Sequence, residues 1–237
     1  MTSKMSSFLS KVVKTRYVEQ QSSKRVRGRL AGASILCFMV DPIYHGVYFL
    51  LGKERHNSRW PSGSGKWSDF GGSVNAVGVS AEETAAREFV EETLAVVKYF
   101  DGDTIPRESH NDIATDLSKG NYHMKLSQSD SKRRFVVFVK QIPWDPVAVS
   151  RFSDFRTALT RPVECSQGKP VFHHPACNTS GYIPKQYLEK RSLGLWSLSQ
   201  LQYAMSHGGV LKHRTHYHER CRESFLTSVE LILRKFT

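Results

Sequence analysis

The sequence has 237 residues, of which 39% are hydrophobic and 24% charged, and a net charge of +12. These are the proportions of an ordinary globular protein, and no apolar run is long enough to predict a membrane span. The first residues lack a signal-peptide apolar segment and the four cysteines are too few for a disulfide framework, so we expect a cytoplasmic, or alternatively nuclear, protein.

The positive charge is concentrated at the two ends of the chain. Residues 1–40 contain eight basic and one acidic side chain, residues 41–184 contain seventeen of each, and residues 185–237 contain nine basic and four acidic ones. We predict a basic arm over 1–29 and a single domain over 30–237. Basic ends favour contact with a polyanion such as RNA, although a solvated basic surface without a partner gives the same charge pattern.

The first half of the domain is predicted to begin with strands. Short apolar runs predict strands over 31–40 and 47–52, and a Gly- and Ser-rich loop over 56–66 precedes a short strand that ends at Gly71-Gly72. Ser80 and Glu83 have the spacing of a capping box, in which each side chain satisfies a free backbone N–H of the other residue. A helix is therefore predicted from Ala81 to about Thr93.

The second half has weaker patterns. We predict strands over 96–100, 122–126, 134–141 and 195–198, a loop over 101–120, and irregular structure over 145–184. Apolar residues recur at helical spacing near the end of the sequence, so a closing amphipathic helix is predicted over 219–236.

Acidic side chains cluster within the predicted helix that follows Gly71-Gly72. Glu88, Glu91 and Glu92 lie three or four residues apart and so share one face, where their like charges repel. Hard divalent cations such as Mg²⁺ prefer carboxylate oxygens, and Arg87 could hold one carboxylate in place. An ordinary acidic surface helix is the alternative, but the preceding strand, loop and cap favour a metal site.

Residues 71–95 resemble the signature of the Nudix hydrolases. That signature ends in Arg-Glu-apolar-any-Glu-Glu, which residues 87–92 match without a gap. Three features depart from it: the loop has one extra residue, its glutamate is missing near Val79, and Leu94 replaces a glycine that favours the helix end.

The resemblance implies an α+β fold, a Nudix-like α/β/α sandwich with a mixed central sheet. It also implies attack by water on a diphosphate linkage, assisted by Mg²⁺ or Mn²⁺. Glu88, Glu91, Glu92 and the carbonyl of Gly72, or of its neighbour Gly71, would bind the metal. The catalytic residues would be Glu92, Glu91 and Arg87, and Glu92 is the first choice for the general base.

Other residues are weaker candidates. Lys53 and Arg55 could bind substrate phosphates, and Trp67 and Phe70 could stack on a base, although both aromatic residues also suit a core. Three acids of the predicted loop are alternative bases: Glu108, Asp112 and Asp116. Histidine and cysteine clusters at 173–177 and 213–221 lack paired C-x-x-C spacing, so solvated histidines are favoured over zinc.

Several functions fit these patterns. The first is hydrolysis of a nucleoside diphosphate-linked substrate, with capped RNA favoured by the basic ends. A small soluble nucleotide or a diphosphoinositol phosphate is the alternative substrate. A catalytically weak Nudix domain that binds RNA without cutting it is the alternative of a different class. We expect no membrane partner, and the sequence does not indicate an oligomeric state.

Overall fold

The computed structural model describes residues 28–56, 63–102, 109–129, 132–160, 185–212 and 218–236. Its strands are β1 (Arg29–Val40), β2 (Val47–Glu54), β3 (Trp67–Ser68), β4 (Phe70–Ser73), β5 (Met124–Ser129), β6 (Arg133–Gln141), β7 (Lys190–Ser197), β8 (Val210–Lys212) and β9 (His218–Arg220). Its α-helices are α1 (Ala81–Glu92), α2 (His110–Ser118), α3 (Ala148–Thr160), α4 (Leu198–Ser206) and α5 (Glu223–Phe236), and a 3-10 helix spans Lys185–Leu188.

Seven strands form a mixed sheet in which β1 is central. β1 pairs in parallel with β6 along one edge, and β6 pairs antiparallel with β5. Along its other edge β1 pairs first with β4, over residues 32–35, and then with β2, over residues 37–40. β2 pairs with β7 along its other edge over residues 48–54, and after it separates from β1 it pairs with β3 over residues 52–53. The sheet therefore splits beside β1, and the chain between β3 and β4 lies at the split.

Helices cover both faces of this sheet because its central strands are apolar on both sides. Ile35, Cys37 and Met39 of β1 face a core formed with α1, α2 and α3. Leu36 and Phe38 face a second core formed with α4 and α5. The α+β class and the α/β/α sandwich with a mixed central sheet are confirmed.

The strands β1, β2 and β6 and the helix α1 were predicted within a few residues of their observed bounds. β1 begins at Arg29, the last residue of the predicted basic arm, and residues 1–27 lie outside the described residues. The closing helix begins later than predicted, at Glu223, because residues 218–220 form β9.

Other predictions were wrong. Residues 96–100 form no strand; their apolar side chains Val96, Val97 and Tyr99 are buried in the first core without strand pairing. Part of the predicted loop is α2, which begins with the Ser109 hydroxyl accepting a hydrogen bond from the Asp112 amide. Residues 148–160 of the predicted irregular region form α3, whereas 161–184 lie outside the described residues. The strand predicted over 195–198 is correct for residues 195–197 but starts earlier than predicted, since β7 spans Lys190–Ser197 and Leu198 begins α4.

Within the part of the chain that the structure describes, no helix combines the length and the apolar composition needed to cross a membrane.

Candidate functional site

The site lies where the sheet splits, at the junction of β3 and β4. Asp69 joins these two strands, and its carboxylate accepts a 2.6 Å hydrogen bond from the Ser34 hydroxyl of β1. β4 then runs beside β1 through Gly71 and Gly72 and leads to the loop before α1. The split thus brings the start of β1, the end of β2 and the helix α1 to one place.

Helix α1 is fixed at its start and along one face. The Ser80 hydroxyl accepts a hydrogen bond from the Glu83 amide, and the Glu83 carboxylate accepts one from the Ser80 amide, so the predicted capping box is present. Ala85 and Phe89 are buried against the sheet, and Phe89 makes an edge-to-face contact with Phe70. This packing sets the direction in which the glutamates of the helix point.

All three predicted glutamates are buried rather than surface-exposed. Glu88 and Glu91 are each 8% exposed and Glu92 is 2% exposed. Burying a carboxylate costs free energy unless it is paired and hydrogen-bonded, so an ordinary solvated acidic helix is excluded as an interpretation of α1. The partners of each carboxylate therefore define the site.

Arg87 clamps two of the carboxylates. Its guanidinium donates to Glu88 Oε1 at 2.6 Å, to Glu91 Oε2 at 2.8 Å and to the Ser73 carbonyl at 3.1 Å. Burial lowers the pKa of Arg87, but the charges of Glu88 and Glu91 outweigh this and hold the pKa above its ordinary value. Arg87 thus ties the glutamate face of α1 to the end of β4.

The two glycines of β4 are needed for close approach. A Cβ atom at Gly72 would lie 2.3 Å from Glu88 Oε1, and one at Gly71 would lie 2.2 Å from the Ser34 Cβ. The Gly71 amide donates a 2.8 Å hydrogen bond to Glu92 Oε2. The Gly71-Gly72 pair therefore lets two carboxylates of α1 reach the backbone of β4.

A buried lysine joins Glu92 to β2. Lys190, at the start of β7, is 1% exposed, and its ammonium lies 2.6 Å from Glu54 Oε1 and 3.2 Å from Glu92 Oε1. It also donates to the Ser68 hydroxyl at 2.9 Å and to the Asp69 carbonyl at 3.1 Å. A positive charge in the protein thus lies between two buried carboxylates.

Negative charge predominates around this lysine. Burial raises the pKa of Glu92 well above its ordinary value; Lys190 opposes that shift, and the charges of Glu54 and Glu88 add to it. Burial also raises the pKa of Glu189, and the charges of Glu88 and Glu54 raise it further. For Lys190 burial lowers the pKa, but Glu92 and Glu54 outweigh this and raise it.

This chemistry fits a divalent cation in its donors, since clustered carboxylate oxygens are the ligands that Mg²⁺ and Mn²⁺ prefer. The close approach of Glu88 to Gly72 and the excess of negative charge also favour a divalent cation. In the described ranges, however, no three His, Cys, Asp or Glu side chains are already arranged around a common metal position. Glu88 and Glu91 contact Arg87, and Glu92 contacts Lys190 and the Gly71 amide.

Some predicted binding residues lie elsewhere. Trp67 is 6% exposed and packs edge-to-face on Trp196, and Phe70 is completely buried, so neither ring is available to stack on a base. Lys53 points to the opposite face of the sheet from Glu54, where it forms a 2.6 Å ion pair with Glu219. Strand alternation explains this, because successive side chains of β2 point to opposite faces.

Arg55, the other predicted phosphate contact, lies directly after β2 and lines a cleft beside α3. Two alternative bases are used otherwise: Asp112 accepts from the Ser109 hydroxyl, and Asp116 pairs with Lys140 at 2.7 Å. Glu108, the residues at 173–177 and those at 213–217 lie outside the described residues, whereas Cys221 is buried in the second core.

Sequence reasoning missed three residues of the site: Glu54, Asp69 and Lys190. Glu54 and Lys190 are 136 positions apart and meet only because β2 pairs with β7. A signal for Glu54 exists in the sequence, because it lies on the same face of β2 as Leu50 and is therefore directed inward. Lys190 gives no comparable signal.

No family profile matches the sequence, and no curated protein matches it. Solved structures resemble it at low identity. The Nudix domain of Shewanella oneidensis NrtR, complexed with ADP ribose, is 12% identical with a TM-score of 0.41, over 92% of this chain and 95% of that one. A mutT/nudix family protein from Listeria innocua is 16% identical with a TM-score of 0.39, over 89% and 98%.

A C. elegans Ap4A hydrolase, solved as a binary complex, is 10% identical with a TM-score of 0.37, over 87% of this chain and 99% of that one. Two of the three structures carry the name of the Nudix family, whose signature residues 71–95 resemble. With identities and TM-scores this low, function rests on the side chains of the chain itself.

Proposed function

We propose that the chain is a Nudix-type pyrophosphohydrolase that cleaves a phosphoanhydride linkage in a nucleoside diphosphate-linked substrate. One observation carries this proposal: Glu88, Glu91 and Glu92 are buried together on α1, where Glu88 and Glu92 reach Gly72 and Gly71 of β4 and Arg87 joins Glu91 to Glu88. A stable helix gains nothing from three buried carboxylates on one face unless positive charge is brought to them. The positively charged side chains of Arg87 and Lys190 supply only part of that charge.

The proposed metal site uses Glu88, Glu91 and Glu92, with the carbonyl of Gly72 as a backbone ligand. When bound, Mg²⁺ or Mn²⁺ supplies charge that neutralises the diphosphate and makes water a better nucleophile. Glu88 and Glu91 are better placed than Glu92, because their carboxylates lie at the outer side of the cluster, each about 10% exposed. Arg87 orients both of them.

The roles of the glutamates follow from their contacts. Both oxygens of Glu92 are engaged, one by the Gly71 amide and one by Lys190, which makes Glu92 an anchor for the helix in the site. The resemblance makes Glu92 the first choice for the general base. We assign this role to Glu91 instead. Experiment distinguishes the two roles, because replacing a base lowers kcat in the folded enzyme, whereas replacing an anchor chiefly lowers the free energy of unfolding.

The substrate of first choice is capped RNA, which the positive charge at both ends of the sequence favours. A small soluble nucleotide and a diphosphoinositol phosphate are the alternatives. The test is hydrolysis of a panel with Mg²⁺ or Mn²⁺: capped RNA, free cap analogue, ADP-ribose, diadenosine tetraphosphate and a diphosphoinositol phosphate. Cleavage of capped RNA but not of free cap analogue would select decapping.

Matched variants of α1 separate metal chemistry from general effects of charge. Glu91→Gln is expected to lower kcat by about 100-fold or more. Glu82→Gln is the control, because Glu82 lies on the same helix but pairs with Lys125. Equal activity of Glu91→Gln and wild type would rule out Glu91 as the general base.

One observation favours a second candidate, an RNA-binding module with weak or no catalysis. Arg87 and Lys190 already pair with the three glutamates, so the protein itself compensates part of their charge. This candidate predicts salt-dependent RNA binding without cleavage of any substrate in the panel.

A further inference from the structure

A polar cleft opens between α3 and the start of β7, with a volume of about 630 Å³. It is separate from the carboxylate cluster and contains none of the residues assigned above to metal or base. Its lining combines three arginines, a histidine, hydroxyl groups and apolar walls, contributed by Arg55, His56, Val149, Phe152, Ser153, Arg156, Thr157, Arg191, Ser192 and Leu193.

The charged side chains in the described lining of this cleft are all basic. Arg55, Arg156 and Arg191 converge on it from three elements, and no acidic residue belongs to the described lining. Burial lowers the pKa of Arg156, and the positive charges of Arg55 and Arg191 lower it further. Three guanidinium groups that repel one another across a shared cleft are stabilised by an anion placed between them.

The remaining lining suits a phosphate group. The guanidinium groups and the hydroxyls of Ser153 and Thr157 can donate hydrogen bonds to its oxygens. Phe152 and Leu193 are buried in the first core and form an apolar wall. Such a wall lowers the local dielectric constant and so strengthens contacts between arginine and phosphate.

The cleft adjoins the carboxylate cluster through the backbone. Arg55 follows Glu54, and Arg191 follows Lys190, so each arginine is next in sequence to a residue of the buried ion pair. The Arg55 amide also donates a 2.7 Å hydrogen bond to the Glu189 carbonyl. The cleft and the carboxylate cluster therefore share the ends of β2 and β7.

We propose that the cleft of Arg55, Arg156 and Arg191 binds a substrate phosphate outside the scissile diphosphate, which selects substrates with more than two phosphate groups. This inference rests on the proposed function for the scissile group, but the anion site stands on its own lining. The additional phosphate has three sources in the panel: the RNA backbone, the chain of a dinucleoside polyphosphate, or the ring of a diphosphoinositol phosphate.

The first experiment measures anion binding apart from catalysis. Calorimetric titration of the full chain with inorganic tripolyphosphate, without divalent cation, is expected to show binding that Arg156→Gln and Arg191→Gln each weaken by about tenfold. Arg156→Lys, which keeps the charge, is expected to recover part of the loss. Lys119→Gln removes an exposed cation that does not line the cleft and is expected to leave the affinity unchanged.

Two results would overturn the proposal: no effect of the arginine substitutions, or an equal loss in Lys119→Gln, which would indicate a general effect of net charge. Glu91→Gln should bind tripolyphosphate at least as tightly as wild type. Failure of the hydrolase proposal is thus distinguishable, because an inactive protein still reports on the cleft through this titration.

The second experiment identifies the source of the phosphate. Arg191→Gln is expected to raise KM about tenfold, with kcat little changed, for whichever panel substrate carries the phosphate that occupies the cleft. ADP-ribose, which has only the bridging diphosphate, should show no change in KM. An equal rise for ADP-ribose would contradict selection for additional phosphates.

Discussion

At the scale of single residues, Lys190 determines whether the carboxylate cluster can exist in the folded chain. Its ammonium is the buried positive charge between Glu54 and Glu92. The Lys190 side chain is not exposed to solvent, so water cannot take the place of the ammonium beside the two carboxylates. Removing one member of a buried ion pair leaves the other charge uncompensated, which costs more than the pair itself contributes. Lys190 is thus a structural requirement of the site, whatever the substrate.

We expect Lys190→Met to lower the free energy of unfolding by about 3–5 kcal/mol. Urea denaturation followed by circular dichroism measures this. Lys125→Met is the matched control: Lys125 pairs with Glu82 with side chains about 20–25% exposed, and such a pair contributes about 0–1 kcal/mol. Similar losses in the two variants would show that Lys190 carries no special electrostatic role.

Gly72 controls the position of a proposed metal ligand. In Gly72→Ala the new Cβ would lie 2.3 Å from Glu88 Oε1, so the flexible carboxylate must move. We expect a loss of kcat/KM of about 100-fold, since such displacements of site groups of ~1 Å have effects of this size. Gly102→Ala, where a Cβ meets nothing within 4 Å, should retain full activity in the same hydrolysis assay.

His123 gives the fold a pH dependence outside the site. Burial, aided by the charge of Lys140, lowers its pKa to about 4 from 6.5, and its ring packs edge-to-face on Phe38. The folded state thus keeps the ring neutral where the unfolded chain binds a proton. Its contribution to stability is present above pH 6.5 and is lost as the pH falls toward 4.

We expect the urea midpoint of wild type to fall between pH 7 and pH 5 by more than that of His123→Gln. The difference between the two proteins should correspond to roughly 1 kcal/mol, a value reduced for solvent screening because the ring is only partly buried. The comparison of the two proteins removes the contribution of the carboxylates. Parallel pH profiles would contradict a neutral, buried His123.

At the scale of elements, the end of α1 explains one departure from the family signature. Leu94 and Ala95 both adopt left-handed backbone conformations, with φ of 57° and 53°, where glycine is ordinarily favoured. Leu94 is nonetheless 1% exposed in the first core. The buried side chain offsets the backbone strain, so the missing glycine reflects packing rather than a different helix end.

The two positions should therefore respond to glycine with opposite signs. Ala95→Gly relieves strain at little cost in packing and is expected to raise the free energy of unfolding by about 0.5 kcal/mol. Leu94→Gly removes a buried side chain and is expected to lower it by roughly 2 kcal/mol or more. Thermal or urea unfolding measures both, and the same sign for both variants would refute this explanation of the helix end.

Elements that depend on interactions between neighbouring residues could be predicted from the sequence, whereas contacts between distant residues could not. The strands β1 and β6 have continuous apolar runs, and α1 has a local capping box, so both kinds of element were predictable from neighbouring residues. The capped helix α2 was missed although Ser109 and Asp112 give the same local signal. The contact between Lys190 and Glu54 was not predictable, because it depends on pairing between distant strands.

At the scale of the whole molecule, the distribution of positive charge favours binding of a long anion. The described site combines buried carboxylates with a cleft of three arginines, and residues 1–27 add seven basic side chains against one acid. Net charge of this kind attracts polyanions over distances of about 8–10 Å at moderate salt. Among the substrates in the panel, a long RNA is the polyanion that this charge pattern favours.

Deletion of residues 1–27, which stops short of β1, tests whether the basic end binds RNA. We expect the affinity for a long RNA to fall and its dependence on salt to become shallower, because each lost phosphate contact removes about 0.9 from the slope for a duplex and about 0.7 for a single strand. Cleavage of a short capped oligonucleotide should not change. A full-length variant with the seven basic residues replaced by glutamine separates charge from length: it should match the deletion if charge binds the RNA. A slope equal to that of wild type in both proteins would show that residues 1–27 make no phosphate contacts.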